Sequence, residues 1–193
     1  MTAAAAQKAV TAPAMSPKTV SWEEFQRKYL SREDQYKYEW VNGLVEKSPR
    51  SMDKTQLYLF TNLLHFLYRL KAVNAEIDGD LISEGDAFFA SNHRRPDIAF
   101  YTGAQIQAAR RNEDVHPDFV IEVISKNDQA EKLVKKMNDY RAAGVPVIWQ
   151  IYPANQQIHV YRGKQMTVCN GDDLCSAEPV VPGFVLPAKE VFQ

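Results

Sequence analysis

The sequence predicts an α/β protein of the α+β kind, a mixed sheet rather than a regular βαβ series. Three observations carry this. Phe119 to Ile124 is a continuous, β-branched apolar run, the mark of a central strand buried on both faces. Gln129 to Ala143 places Leu133, Met137 and Tyr140 on one helical face, with Gly144 as the stop, and Val145 to Tyr152 follows as a second apolar strand. The strand signals before and after this unit come as hairpins, around Asn42-Gly43 and across Gly163.

The elements follow in order. Residues 1–20 are Ala-rich, contain Pro13 and Pro17, and lack the apolar core of a signal peptide, so they read as a flexible tail. Order is expected from Ser21, where Ser21-Trp-Glu-Glu24 has the form of a capping box opening a short helix to about Leu30. Tyr38 to Glu46 reads as two strands around Asn42-Gly43. Gln56 to Leu70 is apolar on most sides and reads as a buried helix. Strand signals lie at Asp80–Ser83, Ala87–Ala90 and Asp97–Tyr101, with a short helix at Gln105–Arg111. After the central unit, Gln157–Arg162 and Gln165–Cys169 form a C-terminal hairpin. The Pro-rich end carries Phe184 and Phe192, which are expected to pack back.

Bulk composition narrows the class. The 193 residues suit one domain, here 21–193, and 45% hydrophobic with 24% charged residues is the profile of a soluble globular chain. A net charge of −1 shows no global basic excess, so a nucleic-acid partner would have to be met by local patches. No stretch reaches the ~18 apolar residues of a membrane span. Cys169 and Cys175 match no zinc spacing and read as reduced thiols of a cytoplasmic protein, although the intervening Asn170-Gly171 turn leaves a disulfide open.

The chemistry lies in Asp97 and Glu122, two acids inside segments that otherwise read as buried strands. An unpaired buried carboxylate is costly and must neutralise or find a cation. On neighbouring strands the two would converge on one divalent ion. Mg²⁺ prefers oxygen ligands and keeps several waters, so two carboxylates and the Val123 carbonyl suffice, with Mn²⁺ as the alternative ion. Of the helix lysines, Lys132 and Lys135 point to solvent. Lys136 lies at the border of the apolar face, where it can bury its stem and send its ammonium toward the site. Arg94, Arg95 and Lys126, with Arg110 and Arg111, would form a basic rim for phosphates. No Walker loop, Gly-x-Ser-x-Gly or His-Glu-x-x-His occurs. His65, His93, His116 and His159 are scattered.

Together Tyr38-Glu39-Trp-Val-Asn-Gly43, Arg95-Pro96-Asp97, Val120-Ile-Glu122-Val-Ile-Ser125, Lys136-x-x-x-Tyr140 and Gly144-Val-Pro-Val-Ile-Trp149 resemble the Uma family. That family is placed in the restriction-endonuclease-like PD-(D/E)xK nuclease superfamily, and the resemblance spans about Ser21 to Phe192. It implies a restriction-endonuclease-like core with flanking helices, with Asp97 and Glu122 as metal ligands. It also implies Glu39 as an acidic accessory in the site and Asp86 as a further accessory before the metal strand. The superfamily's lysine would stand two residues after Glu122, where this chain has Ile124. The resemblance relocates that lysine to Lys136. The expectation is a Mg²⁺-dependent endonuclease acting on DNA, with a homodimer left open. The rival readings are a catalytically inert nucleic-acid-binding module on the same fold and an interaction protein with structural carboxylates.

Overall fold

In the computed structural model, residues 18–49, 54–89, 92–126 and 128–193 are described. Residues 1–17 of the tail expected over 1–20, and the end of the strand signal at Ala90, lie outside them. Val20 already belongs to the fold, since its N–H donates to the Gly43 carbonyl at 2.7 Å.

The first helix, α1 (Trp22–Phe25), runs into a π-helical turn at Gln26–Leu30. Ser21 caps it by accepting from the Glu24 N–H, while the Glu24 carboxylate takes Lys28 rather than reaching back, so the capping box is half formed. β1 (Tyr36–Val41) and β2 (Leu44–Pro49) form the expected hairpin. Asn42 and Gly43 both have positive φ, which suits a tight turn matching the strand twist.

α2 (Lys54–Lys71) buries Leu59, Leu63 and Leu67 along one stripe. Leu57 and Tyr68 are exposed on the other side, so this helix covers the sheet with one face and is not buried all round. β3 (Gly79–Ser83), β4 (Ala87–Phe89), β5 (Asn92–Arg94) and β6 (Ile98–Thr102) follow. β5 gave no strand signal, since Asn-His-Arg lacks β-branched and apolar residues. α3 (Gly103–Arg110) opens on a complete capping box formed by Thr102 and Gln105.

β7 (Phe119–Val123) is buried at every position. α4 (Ala130–Ala142) carries the chain from β7 to β8 (Val147–Tyr152), its parallel neighbour. β9 (Gln157–Arg162) and β10 (Gln165–Asn170) complete the C-terminal hairpin. A small added pair, β11 (Leu174–Ser176) with β12 (Val185–Pro187), precedes α5 (Ala188–Val191).

The strands form a six-stranded mixed sheet, β10-β9-β8-β7-β6-β3, and a four-stranded sheet, β2-β1-β5-β4, besides the β11–β12 pair. Alternation along β6, β7 and β8 divides the core. Ile98, Phe100, Phe119, Ile121 and Trp149 face α2 and the C-terminal segment, where Phe184 packs edge-on against Phe66 and Phe119. Ala99, Tyr101, Val120 and Ile148 face α4 through Met137 and Tyr140. Cys169 and Cys175 are buried and free. No described helix is long and apolar enough to cross a membrane.

Candidate active site

The site lies on the α4 face of the six-stranded sheet, where the chain leaves β5 and enters β6. β6 and β7 are antiparallel with Ile98 opposite Ile121, and one further residue along that register sets Asp97 opposite Glu122. Cross-strand neighbours share a face with Cβ atoms roughly 4.5–5.5 Å apart. Pro96 has no N–H to offer a ladder, and Asp97 is held by other means. Its Oδ2 accepts the Val123 N–H at 2.9 Å, and its carbonyl accepts from the Glu84 N–H and the Ser83 hydroxyl. Alternation brings Glu122 to the same face as Val120, with 5% of the residue exposed.

Two lysines and a tyrosine meet these acids. Lys136 and Tyr140, one helical turn apart on α4, both reach Glu122. Lys136 Nζ donates to Oε2 at 2.8 Å and Tyr140 Oη to Oε1 at 2.5 Å. Lys37, from β1 of the other sheet, donates to Asp97 Oδ1 at 3.0 Å. Burial raises the Glu122 carboxyl, Lys136 opposes the rise, and the neighbouring Asp97 charge adds to it, leaving it at about 6. Burial also pushes Asp97 up, but Lys37 and Lys136 outweigh it and hold Asp97 below the ordinary range. Lys136 is raised, because Glu122, Glu39 and Asp97 overcome its desolvation.

A second layer of ion pairs braces this group. Glu39 on β1 accepts the Arg95 N–H at 2.8 Å through Oε1 and Arg94 Nη1 at 2.8 Å through Oε2, and Lys136 Nζ lies 3.5 Å from Oε1. Burial pushes Glu39 up, yet Lys136 and Arg94 bring it down to about 2. Arg94 also binds Glu46 at 2.7 Å and Asp139 of α4, and Lys135 pairs with Glu46. Glu39 thus fixes the Arg94–Asp97 segment and lies against Lys136. Asp86 is tied elsewhere, to His93 Nε2 at 2.8 Å and Arg95 Nε at 2.6 Å.

The residues expected at the site divide clearly. Asp97, Glu122, Val123, Lys136 and Glu39 come together. Asp86 supports Arg95 and the buried His93 ring and makes no described contact with the carboxylate pair. Lys126 is exposed beyond β7, as a phosphate contact requires. Arg94 and Arg95 do not form a rim. Arg94 is 1% exposed and Arg95 7%, and their guanidinium groups are committed to carboxylates and the Leu30 carbonyl. Lys135 does not point free into solvent, since it meets Glu46 at partial exposure.

Sequence reasoning missed Lys37 and gave Tyr140 no role at the acids. Lys37 could have been found from its i, i+2 spacing to Glu39, which puts both on one face of a strand. Tyr140 stands on the apolar face of α4, and the signal there is that its hydroxyl needs a partner when buried. Gln150, in register with Glu122 on β8 and nearly buried, accepts from the Tyr152 and Tyr161 hydroxyls.

Among the described residues, no group of three His, Cys, Asp or Glu side chains gathers for a metal. The donor set is two carboxylates, of which Glu122 is raised by burial and, to a lesser degree, by the Asp97 charge, and a cation bound between them would offset both. An oxygen-only set of two acids fits Mg²⁺ or Mn²⁺, which complete their shells with water.

The sequence model of the Uma2 family, described as "Putative restriction endonuclease", matches residues 22–189. No curated protein matches the chain. Among solved structures, the chain is similar to a crystal structure described as "a putative nuclease belonging to DUF820" from Anabaena variabilis. The TM-score is 0.73 at 20% identity, covering 91% of this chain and 98% of the other. At that identity the likeness establishes the fold, a mixed α/β architecture.

Proposed function

This chain belongs to the Uma2 family, and on that premise we propose that it is a divalent-metal-dependent endonuclease of the PD-(D/E)xK plan, hydrolysing DNA phosphodiester bonds. The observation that carries the reading is Asp97 opposite Glu122 with Lys136 Nζ 2.8 Å from the Glu122 carboxylate. Asp97 and Glu122, with the Val123 carbonyl, would hold Mg²⁺ or Mn²⁺. Bound there, such an ion lowers the pKa of a water and offsets charge on phosphoryl oxygens.

The protein's own groups do the rest. Lys136 offers a largely enclosed ammonium that favours the ionised form of Glu122 and can orient the attacking water or donate to a phosphoryl oxygen. Tyr140 fixes the Glu122 rotamer. Glu39 and Arg94 anchor the segment that carries Asp97. Exposed Lys126, with Arg110 and Arg111 on the surface, supplies contacts to the DNA backbone.

Supercoiled plasmid is the direct test. Incubation with Mg²⁺ or Mn²⁺ is expected to nick or linearise it, and EDTA or Asp97→Ala to abolish the cut. The second reading, a binding module without catalysis, draws on Ile124 at the motif-lysine position. Binding of DNA with no cleavage under either ion would establish it.

A further inference from the structure

We propose that Lys37 is a tethered counter-cation, occupying the metal-facing oxygen of Asp97 until a divalent ion displaces it. The inference rests on the metal-site reading above. Asp97 has two carboxylate oxygens with different partners. Oδ2 is held by a backbone N–H that cannot leave without opening the β6–β7 junction. Oδ1 is held by Lys37 Nζ at 3.0 Å, and Lys37 is 8% exposed. Oδ1, held by a side chain rather than by the backbone, is therefore the oxygen that an incoming cation frees most readily, and it is the position of the ammonium.

Lys37 is built to yield. It comes from the four-stranded sheet, 60 residues away in sequence, and reaches Asp97 at the end of a flexible four-carbon stem. Glu39, two residues along the same face of β1, is braced by Arg94 and the Arg95 N–H, so β1 need not move when the ammonium swings away. Glu122 has the same kind of cover from Lys136. Each acid thus carries its own lysine, and the protein without metal holds a charge-matched site that lowers divalent-ion affinity.

The test uses the full chain at pH 8, with Mn²⁺ or Mg²⁺ alone and no nucleic acid. Calorimetric titration with Mn²⁺ compares the native protein with Lys37→Met, Lys37→Arg and Asp97→Asn. Lys37→Met is expected to bind about tenfold tighter, since a competing charge is gone, and Lys37→Arg to stay within about twofold of native. Asp97→Asn is expected to lose binding. Equal or weaker binding by folded Lys37→Met overturns the inference while leaving the metal site standing. Native protein that binds no Mn²⁺, or no better than Asp97→Asn, removes the metal site and this inference with it. A second measurement does not depend on the methionine variant folding. The Lys37 ammonium resonance, assigned by its loss in Lys37→Arg, should shift and exchange faster with water as Mg²⁺ saturates the site. An unchanged resonance at saturation overturns the displacement.

Discussion

Arg94 Nη1 donates to Glu39 Oε2 at 2.8 Å, joining two buried side chains at the point where the four-stranded sheet hands the chain to the six-stranded one. Glu46 and Asp139 enclose the same guanidinium. A buried cation with three carboxylates holds structure rather than phosphate. Arg94→Met should therefore cost about 3–5 kcal/mol, because it strands buried carboxylates. Lys126→Ala should leave stability nearly unchanged and lower the slope of log affinity against log salt by about 1. Urea melts and anisotropy titrations over a salt series separate the two. A folded Arg94→Met protein of native stability with a reduced salt slope would restore Arg94 to the DNA-binding rim.

Glu39 gives the same cluster an acid limit. Its carboxyl is held at about 2 in the fold, below the unfolded value near 4.5. A depressed acid contributes stability that is present above about 4.5 and is lost as pH falls toward 2, on the order of 3 kcal/mol in all. Glu39→Gln should lower stability at pH 7 by that order and flatten the loss between about pH 4.5 and 2. Denaturant melts across that window check it. A variant whose acid limb parallels the native one assigns the loss to other carboxylates.

Glu122 has the opposite sign. Its carboxyl rises to about 6, above the unfolded value near 4.5, so the stability it contributes is present below about 4.5 and lost as pH climbs through about 6. A metal ligand must be ionised. Mn²⁺ affinity should be level above about pH 7 and fall roughly tenfold per unit below about 6. Calorimetry at pH 5, 6, 7 and 8 measures it. Affinity unchanged over this range would detach Glu122 from metal binding.

Much of this site is legible from residue type and spacing. Asp97 and Glu122 stand out because an acid within an apolar strand is an energetic anomaly, and anomalies need partners. Lys136 is legible from helical phase, which fixes its side of α4. Arg94 and Arg95 are not, since sequence cannot say whether a cation faces phosphate or a carboxylate of its own chain. Lys37 is hidden for a related reason: a strand lysine ordinarily faces water, and its partner Asp97 lies on a different sheet. The fold shows the same division. Apolar runs announce β7 and β8, whereas β5 is a strand through pairing with β1 and β4 alone. For α2, composition suggests burial all round, but the helix meets the sheet with one face only and leaves Leu57 in solvent.

The neighbouring lysines of α4 provide the sharpest separation of chemistry from general basicity. Lys136 is only 14% exposed at its side chain and bonded to Glu122, whereas Lys135, one residue away, is 42% exposed at its side chain and bonded to Glu46. Lys136→Ala should lower the cleavage rate by about 10²–10³-fold, the range for a lost charge-stabilising donor, with DNA affinity changed little. It also leaves Glu122 buried without its cation, so its melting temperature should fall. Rates are therefore compared well below the lower melting temperature. Lys135→Ala removes a partly exposed ion pair worth about 0–1 kcal/mol and should cut at close to the native rate. Single-turnover cleavage with saturating protein isolates the chemical step from binding. Equal losses in the two variants would mean that positive charge on α4 matters only in bulk, and the assigned role of Lys136 would fall.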